Sequence, residues 1–345
     1  MPVDVVSHLP YSHAFPATHT YDVIIVGGGI VGLTCACGLR DSGLRVAVIE
    51  AQSAAAAAGR ERAYAFSPVS ARILQGLGLW DVVGPQLTHF QRVKLSDADY
   101  DKAITFRPQH GRQDGRGKAV YYSAQHKVLM SALQSAIAAA HNIDYWCESQ
   151  IIDNGQVPIT RQGSDTELTV ETGGEQHRLH TQLLVGADGA RSWVRSLTSI
   201  KTVGWKYWQS CITAVLEPEH SHRDTAYEKF WPSGPFAILP LPENRCQIVW
   251  TAPHEEARAM LALPKEQFVT ELKARYGDDM GELTLVNEPM MFPVQLMQSR
   301  EYVRPGIALI GDAAHCCHPV GGQGLNMGIR DAIALAETLQ RAEIE

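Results

Sequence analysis

Residues 21–50 read YDVIIVGGGIVGLTCACGLRDSGLRVAVIE: an apolar run, a glycine turn, a small-residue helix, a Ser-Gly break and a second apolar run. That order is a βαβ unit. Gly27, Gly29 and Gly32 form G-x-G-x-x-G where the first strand gives way to the helix, and Glu50 ends the second strand 18 residues past Gly32. The pattern is a dinucleotide fingerprint. Gly27 permits the tight turn, Gly29 lets the backbone approach a pyrophosphate, and Gly32 lets the helix pack on the strand, while the helix N-terminus faces the anion. Glu50 is placed to accept hydrogen bonds from an adenosine ribose. A glycine triplet alone can be a plain βα turn; here strand, helix and acidic residue are all in register.

Outward from this unit, residues 54–58 (AAAAA) lack a periodic apolar face and are expected to be a loop toward the ligand. Helical spacing recurs over 67–79 and 126–140, with strands and a Gly/Arg-rich turn between 90 and 122. Residues 145–185 alternate like an antiparallel ribbon, and LLVGADG then returns as a buried strand entering a glycine turn. From 200 to 292 strand-like runs dominate, with two helical stretches between them, before GIALIGDAAH and a final helix.

The fold class expected is α/β: a Rossmann-like nucleotide domain with an inserted β-rich domain. Its parts are residues 21–85, 110–198 and 293–345; the β-rich domain is 86–109 and 199–292, and residues 1–20 are a loose extension.

With 45% hydrophobic and 19% charged residues the chain has the balance of a globular protein. The formal net charge of −7 argues against a nucleic-acid partner, because phosphate contacts need a basic surface. Seven scattered cysteines without C-x2-C pairs suit a reducing, cytosol-like compartment. No run of 18 apolar residues occurs, and the first twenty residues have no basic start followed by an apolar stretch.

Two further glycine motifs follow strands: GADGARSWVR at 186–195 and GDAAHCCHPVGGQGLNMG at 311–328. With the fingerprint they resemble the FAD-dependent aromatic hydroxylases related to p-hydroxybenzoate hydroxylase. The blocks ERAYAFSPVSARILQGLGLWD and FWPSGPFAILPLPENRCQIVWT bring the resemblance closest to the ubiquinone-biosynthesis subfamily.

The resemblance implies FAD as cofactor and NAD(P)H as transient reductant; no second G-x-G-x-x-G is visible for a separate nicotinamide domain. It places Asp312 on the ribityl chain and the backbone of Gly324, Leu325 and Asn326 at the pyrimidine end of the flavin. A glycine-rich turn opening a helix suits the negative charge of a reduced flavin. Asp188 falls near the pyrophosphate, and on shorter blocks Arg62 and Gln125 also touch the cofactor. The reaction implied is hydroxylation of an aromatic ring by a C4a-hydroperoxide formed from O2 on the reduced flavin, with a prenylated phenol of quinone biosynthesis as substrate. No catalytic acid or base is assigned.

Other functions compatible with the motifs are a flavin-dependent isoprenoid reductase or oxidase, and a non-catalytic FAD-binding subunit of a quinone-synthesis complex. A cytoplasmic enzyme peripheral at the membrane is expected, in view of the bilayer solubility of a prenylphenol, and oligomeric state is left open. The resemblance also implies a C-terminal helical region after the last helix, which is expected to be absent from this chain. The aromatic set Trp205, Tyr207, Trp208, Phe230, Trp231, Phe236 and Trp250 divides between core and pocket lining in a way that sequence alone does not assign.

His315-Cys316-Cys317-His318 offers four metal-ligand types in a row. Four successive side chains cannot converge tetrahedrally, so no metal is expected, and the quartet reads as the link between Asp312 and the flavin-cradling helix.

Overall fold

The computed structural model of the chain describes residues 17–98, 102–108, 119–152, 166–277 and 279–344. β1 (Ala17–Val26) leads into α1 (Ile30–Leu39) and β2 (Val46–Ile49), then α2 (Ala54–Ala58), β3 (Ala63–Phe66) and α3 (Pro68–Gly76). β4 (Arg92–Asp97), β5 (Tyr122–Gln125), α4 (His126–Ala138), β6 (Ile143–Trp146), β7 (Thr166–Thr172) and β8 (Glu175–Gly186) follow. The second half holds β9 (Thr202–Pro218), β10 (Thr225–Trp231), β11 (Gly234–Pro240), β12 (Cys246–Pro253), α5 (His254–Leu261) and α6 (Lys265–Tyr276). β13 (Met290–Ser299), β14 (Ile307–Leu309), β15 (His315–Cys316) and α7 (Gln323–Ile344) complete it.

β14, β8, β1, β2 and β6 lie side by side in that order, all parallel. Both faces of this sheet are buried. Val23, Ile25, Val46 and Val48 pack with α1, α4 and α7, while Ile24, Ala47 and Ile49 pack with Leu168 and Val170 of β7. Double burial explains why these strands read as unbroken apolar runs instead of alternating ones.

β8 does double duty. Its first half is the antiparallel partner of β7, and from His177 onward it runs parallel to β1, from Ala17↔His177 to Val26↔Gly186. The ribbon expected over 145–185 is therefore part hairpin and part central sheet, since β6 instead joins β2 as a parallel edge strand. Residues 17–20, expected in the loose extension, are the first positions of β1, held by His177 to His180.

Among the described residues the second sheet has nine strands, including β15, β13, β9, β12, β11, β10 and β4 in that spatial order. Alternate residues Ile212, Phe236, Ile248 and Trp250 face α6, where they bury Phe268 and Leu272. The boundary expected at 292/293 falls inside β13, whose ladder with β9 runs from Thr213↔Met290 to Thr202↔Ser299. One strand cannot be divided between two sheets, so residues 293–299 stand with the β-rich one. The boundary at 109/110 lies outside the described residues.

The expected loop at 54–58 is a short helix. Ser53 Oγ accepts the Ala56 N–H at 3.2 Å, a cap that offsets the small length, and Ala57 and Ala58 are buried in the core beneath it.

Candidate active site

The three glycine motifs meet although 284 positions separate Gly27 from Gly311. Each follows the carboxyl end of one of three adjacent strands, β1, β8 and β14, with Val26 paired to Gly186 and Gly186 to Leu309. Backbone bonds lock the turns together: Ala187 N–H donates to Val26 O at 2.8 Å, and Ile310 N–H to Gly186 O at 2.9 Å. The crevice beyond strand carboxyl ends is where open α/β sheets take nucleotides.

Within the fingerprint the glycines serve different ends. A Cβ on Gly32 would stand 2.0 Å from Gly27 O, and one on Gly27, which has φ +108°, would stand 2.4 Å from Ala187 O. Those two are required by the chain's own packing. Gly29 differs, because a Cβ there would meet nothing within 4 Å and its φ of −76° is open to any residue. Its lack of a side chain serves whatever lies outside the protein surface. Gly324 at the start of α7 is likewise open. Bare backbone at the mouths of two helices is a cradle that fits the pyrophosphate and the flat ring of FAD.

Glu50 is already engaged. Its Oε2 accepts the Gly28 N–H and its Oε1 the Gln52 N–H, both at 2.9 Å, so it also holds the glycine loop in shape. Each carboxylate oxygen keeps a second acceptor position for a ribose hydroxyl. Sequence reasoning missed Tyr145, whose hydroxyl stands 2.8 Å from where a Gly28 Cβ would lie and backs the loop. The signal for it was the pairing of β6 with β2.

Asp188 Oδ2 accepts from Trp193 N–H at 2.6 Å and Val194 N–H at 3.2 Å, which caps the helix Trp193–Leu197, and Oδ1 is buried with no partner among the described residues. Arg195 ties the second motif to the third through Ala313 O at 2.8 Å.

Asp312 sits in the turn after β14 with an open face to solvent. Surrounding protein pushes its carboxyl above the ordinary range, while His315 and Arg62 pull it down. Arg62 reaches the same region from beside β3, with its guanidinium carbon 5.0 Å from the Phe292 ring centre. Gln125 is half-buried at the N-cap of α4, next to His126, whose N–H donates to Arg62 O at 2.6 Å. Arg62 thus faces Asp312 and adjoins the Ala63↔Gln125 strand pair, while Asn326 ties the start of α7 to Ala65 of β3.

Asn326 is 1% exposed and its side chain is spent inside the protein. Oδ1 accepts Ser67 N–H at 2.8 Å and Ser70 Oγ–H at 2.7 Å; Nδ2 donates to Ala65 O at 3.1 Å and Gly322 O at 2.7 Å. Only its backbone is left for a ligand, and the side chain pins the start of α7 to β3 and α3.

The His-Cys-Cys-His side chains diverge. His315 Nε2 meets Asp331 Oδ2 at 2.6 Å, Cys316 Sγ points at Asp312 O at 3.5 Å, and His318 packs edge-on to Tyr207. Among the described residues no group of three or more His, Cys, Asp or Glu converges as a metal site. Burial pushes the Cys316 thiol up to about 11. Replacing Cys316 and Cys317 together by alanine should leave flavin absorbance of the purified protein unchanged; loss of FAD on that change would show that the thiols serve the site.

His315 carries a pH signature. Burial pulls its imidazolium down, but Asp331, with Asp312 beyond it, raises it by more, so the folded value is raised. The pair therefore contributes fully below the unfolded histidine value of about 6.5 and is lost as pH rises through the folded value. Asp331→Asn should cost about 1–2 kcal/mol at about pH 6 and less at alkaline pH, read as melting temperature against pH. An equal loss at every pH would count against the ion pair.

Of the aromatic set, Phe236 and Trp250 are core at 1% and 0% exposure, whereas Trp205 and Trp208 are open at 58% and 88%. The core pair face α6, away from the nucleotide sheet.

A nucleotide sheet with three glycine turns in one crevice, carrying an inserted, mostly antiparallel sheet, is the layout of an FAD-dependent aromatic monooxygenase. The fold is shared with Pseudomonas aeruginosa PqsL in complex with 2-aminobenzoylacetate, at TM-score 0.79 and 24% identity, covering 94% of this chain and 87% of that one. The FAD binding domain family model matches residues 20–343, and the chain belongs to that family. Within it the chain stands with the ubiquinone-biosynthesis hydroxylases. It is 35% identical over 327 residues to ubiquinone hydroxylase UbiL of Rhodospirillum rubrum, covering 93% of this chain and 73% of that protein. It is 33% identical over 326 residues to 3-demethoxyubiquinol 3-hydroxylase of Escherichia coli, covering 93% and 80%. Its cofactor is FAD, with NAD(P)H as the reductant typical of the family.

Proposed function

We propose that this enzyme hydroxylates the ring of a prenylated phenol on the route to ubiquinone. The observation that carries the reading is the convergence of three glycine turns at the carboxyl ends of β1, β8 and β14, together with the ubiquinone hydroxylases among its relatives. When bound, FAD supplies the activation of O2 that no side chain can provide.

The chain's own part is to bind, orient and exclude water. Gly29 and the N-terminus of α1 take the pyrophosphate, Glu50 the adenosine ribose, and Asp312 the ribityl chain. Asp188 braces the second turn against the pyrophosphate end. N–H groups from Gly324, Leu325 and Asn326 face the pyrimidine end of the ring, where a helix N-terminus favours negative charge. Arg62 and Gln125 contact the cofactor from the β3–β5 side. The second sheet shields the ring from water, which keeps activated oxygen from being wasted.

A prenylphenol partitions into the bilayer, so the proposal includes collection of substrate at a membrane surface. Among the described residues no helix is long and apolar enough to cross one.

The test is NAD(P)H oxidation by the FAD-loaded chain with a prenylphenol in isotopically labelled O2. Product carrying one labelled oxygen is expected. Turnover of the substrate without O2 would exclude a hydroxylase.

A further inference from the structure

The inner face of the second sheet, opposite α5 and α6, carries a row that is only partly covered. Register places Met290 beside Thr213, Thr213 beside Val249, Val249 beside Ala237, and Ala237 beside Glu228. Four strand spacings give this row a length of about 19 Å. The face is identified by its neighbours: Gln247, two residues from Val249, bonds Ala63 N–H at 2.7 Å and Ala63 O at 2.9 Å across to the nucleotide domain.

Val249 and Ala237 lie in interior strands, where covered residues would be fully buried, yet both are only partly buried. Thr213 Oγ1 is buried without a partner among the described residues. At one end of the row Met290 is 44% exposed to solvent. At the other, the half-buried Glu228 carboxylate lies near the backbone N–H of Gly321, in the turn that leads into α7. The row is an apolar track with an open end and a carboxylate placed against the flavin-cradling turn.

We propose that Glu228 is the base that takes the ring-hydroxyl proton of the phenol, while the row from Ala237 to Met290 carries the prenyl tail. This rests on the hydroxylase reading above. The phenol O–H bond breaks, its proton forms a new O–H bond on the Glu228 carboxylate, and the electron pair left on oxygen is shared into the ring. The ring carbon beside it then becomes a stronger nucleophile toward activated oxygen, and the Glu228 acid afterwards returns its proton to water. No further oxidant or reductant is needed.

The environment suits a base. Burial raises the Glu228 carboxyl above its ordinary range and the Gly321 N–H lowers it in part. The neighbours on its own face and strand pair, Ala226, Phe230, Ala237 and Leu95, carry no charge.

The FAD-loaded Glu228→Gln and Glu228→Asp variants test this beside the unaltered enzyme, with a prenylphenol as probe. Glu228→Gln should keep FAD and bind the phenol, lose the phenolate absorbance of the bound substrate, and hydroxylate about 100-fold more slowly. In the unaltered enzyme the rate should rise with pH as Glu228 ionises; that limb should be absent in Glu228→Gln and return, with part of the rate, in Glu228→Asp. An unchanged rate and pH profile in Glu228→Gln would overturn the assignment, as would loss of FAD, which would make Glu228 a support of the turn. If the unaltered enzyme hydroxylates no prenylphenol, the hydroxylase reading itself fails, an outcome separate from either of these.

Discussion

Gly29→Ala should purify folded and nearly free of flavin. The position has no neighbour within 4 Å of an added Cβ and has a φ of −76°, so the chain pays almost nothing for the methyl group. The pyrophosphate is what must come close there, at the N-terminus of α1. We expect FAD affinity to fall about 100-fold, equivalent to about 2.7 kcal/mol, read by titration with flavin fluorescence. Gly32→Ala is the contrast. Its Cβ would lie 2.0 Å from Gly27 O and 3.3 Å from the Ala187 Cβ, so it should lower the melting temperature whether or not flavin is present. Stoichiometric FAD on Gly29→Ala would remove this turn from the cofactor site.

Asn326→Ala should cost stability and cofactor together. The amide closes four hydrogen bonds at 1% exposure, to two residues at the start of α3, one in β3 and one in the turn before α7. Alanine leaves Ser67 N–H and Ala65 O buried without these partners. The expected loss is about 4 kcal/mol, a fall in melting temperature of roughly 8–16 °C, with flavin released in the same transition. Asn326→Asp keeps the two acceptor contacts and loses the two donor ones, so it should fall between. A loss under about 1 kcal/mol for alanine would mean that water replaces the amide with little penalty.

The three glycine motifs, the discontinuous nucleotide domain and the β-rich second half were legible in the sequence, because each is written in local pattern: apolar runs, glycine spacing, helix periodicity. What escaped was set by contacts distant in sequence. Ala54–Ala58 shows no amphipathic face, and its helix is made by Ser53 on one side and the core on the other. Glu50 looked free for a ribose, but Gly28 N–H claims part of it. Asn326 sits in a motif whose glycines draw attention to the backbone, so the work of its side chain was hidden. Glu228 is one acidic residue among many until β10, β11 and β12 are in register and one face is known. Trp205 and Trp250 are alike as letters; place in the sheet separates them, Trp250 under α6 and Trp205 on a stretch of β9 where successive residues are exposed.

The central sheet orders β14 beside β8, and β8 beside β1. A chain emerging from the ribosome can therefore join β1 to β2 early, but the crevice has only two of its three walls until residues 307–312 have been synthesised. Cofactor capture is in this topology a late event in biogenesis, and the exposed edge of β8 is the surface a nascent chain must protect until then.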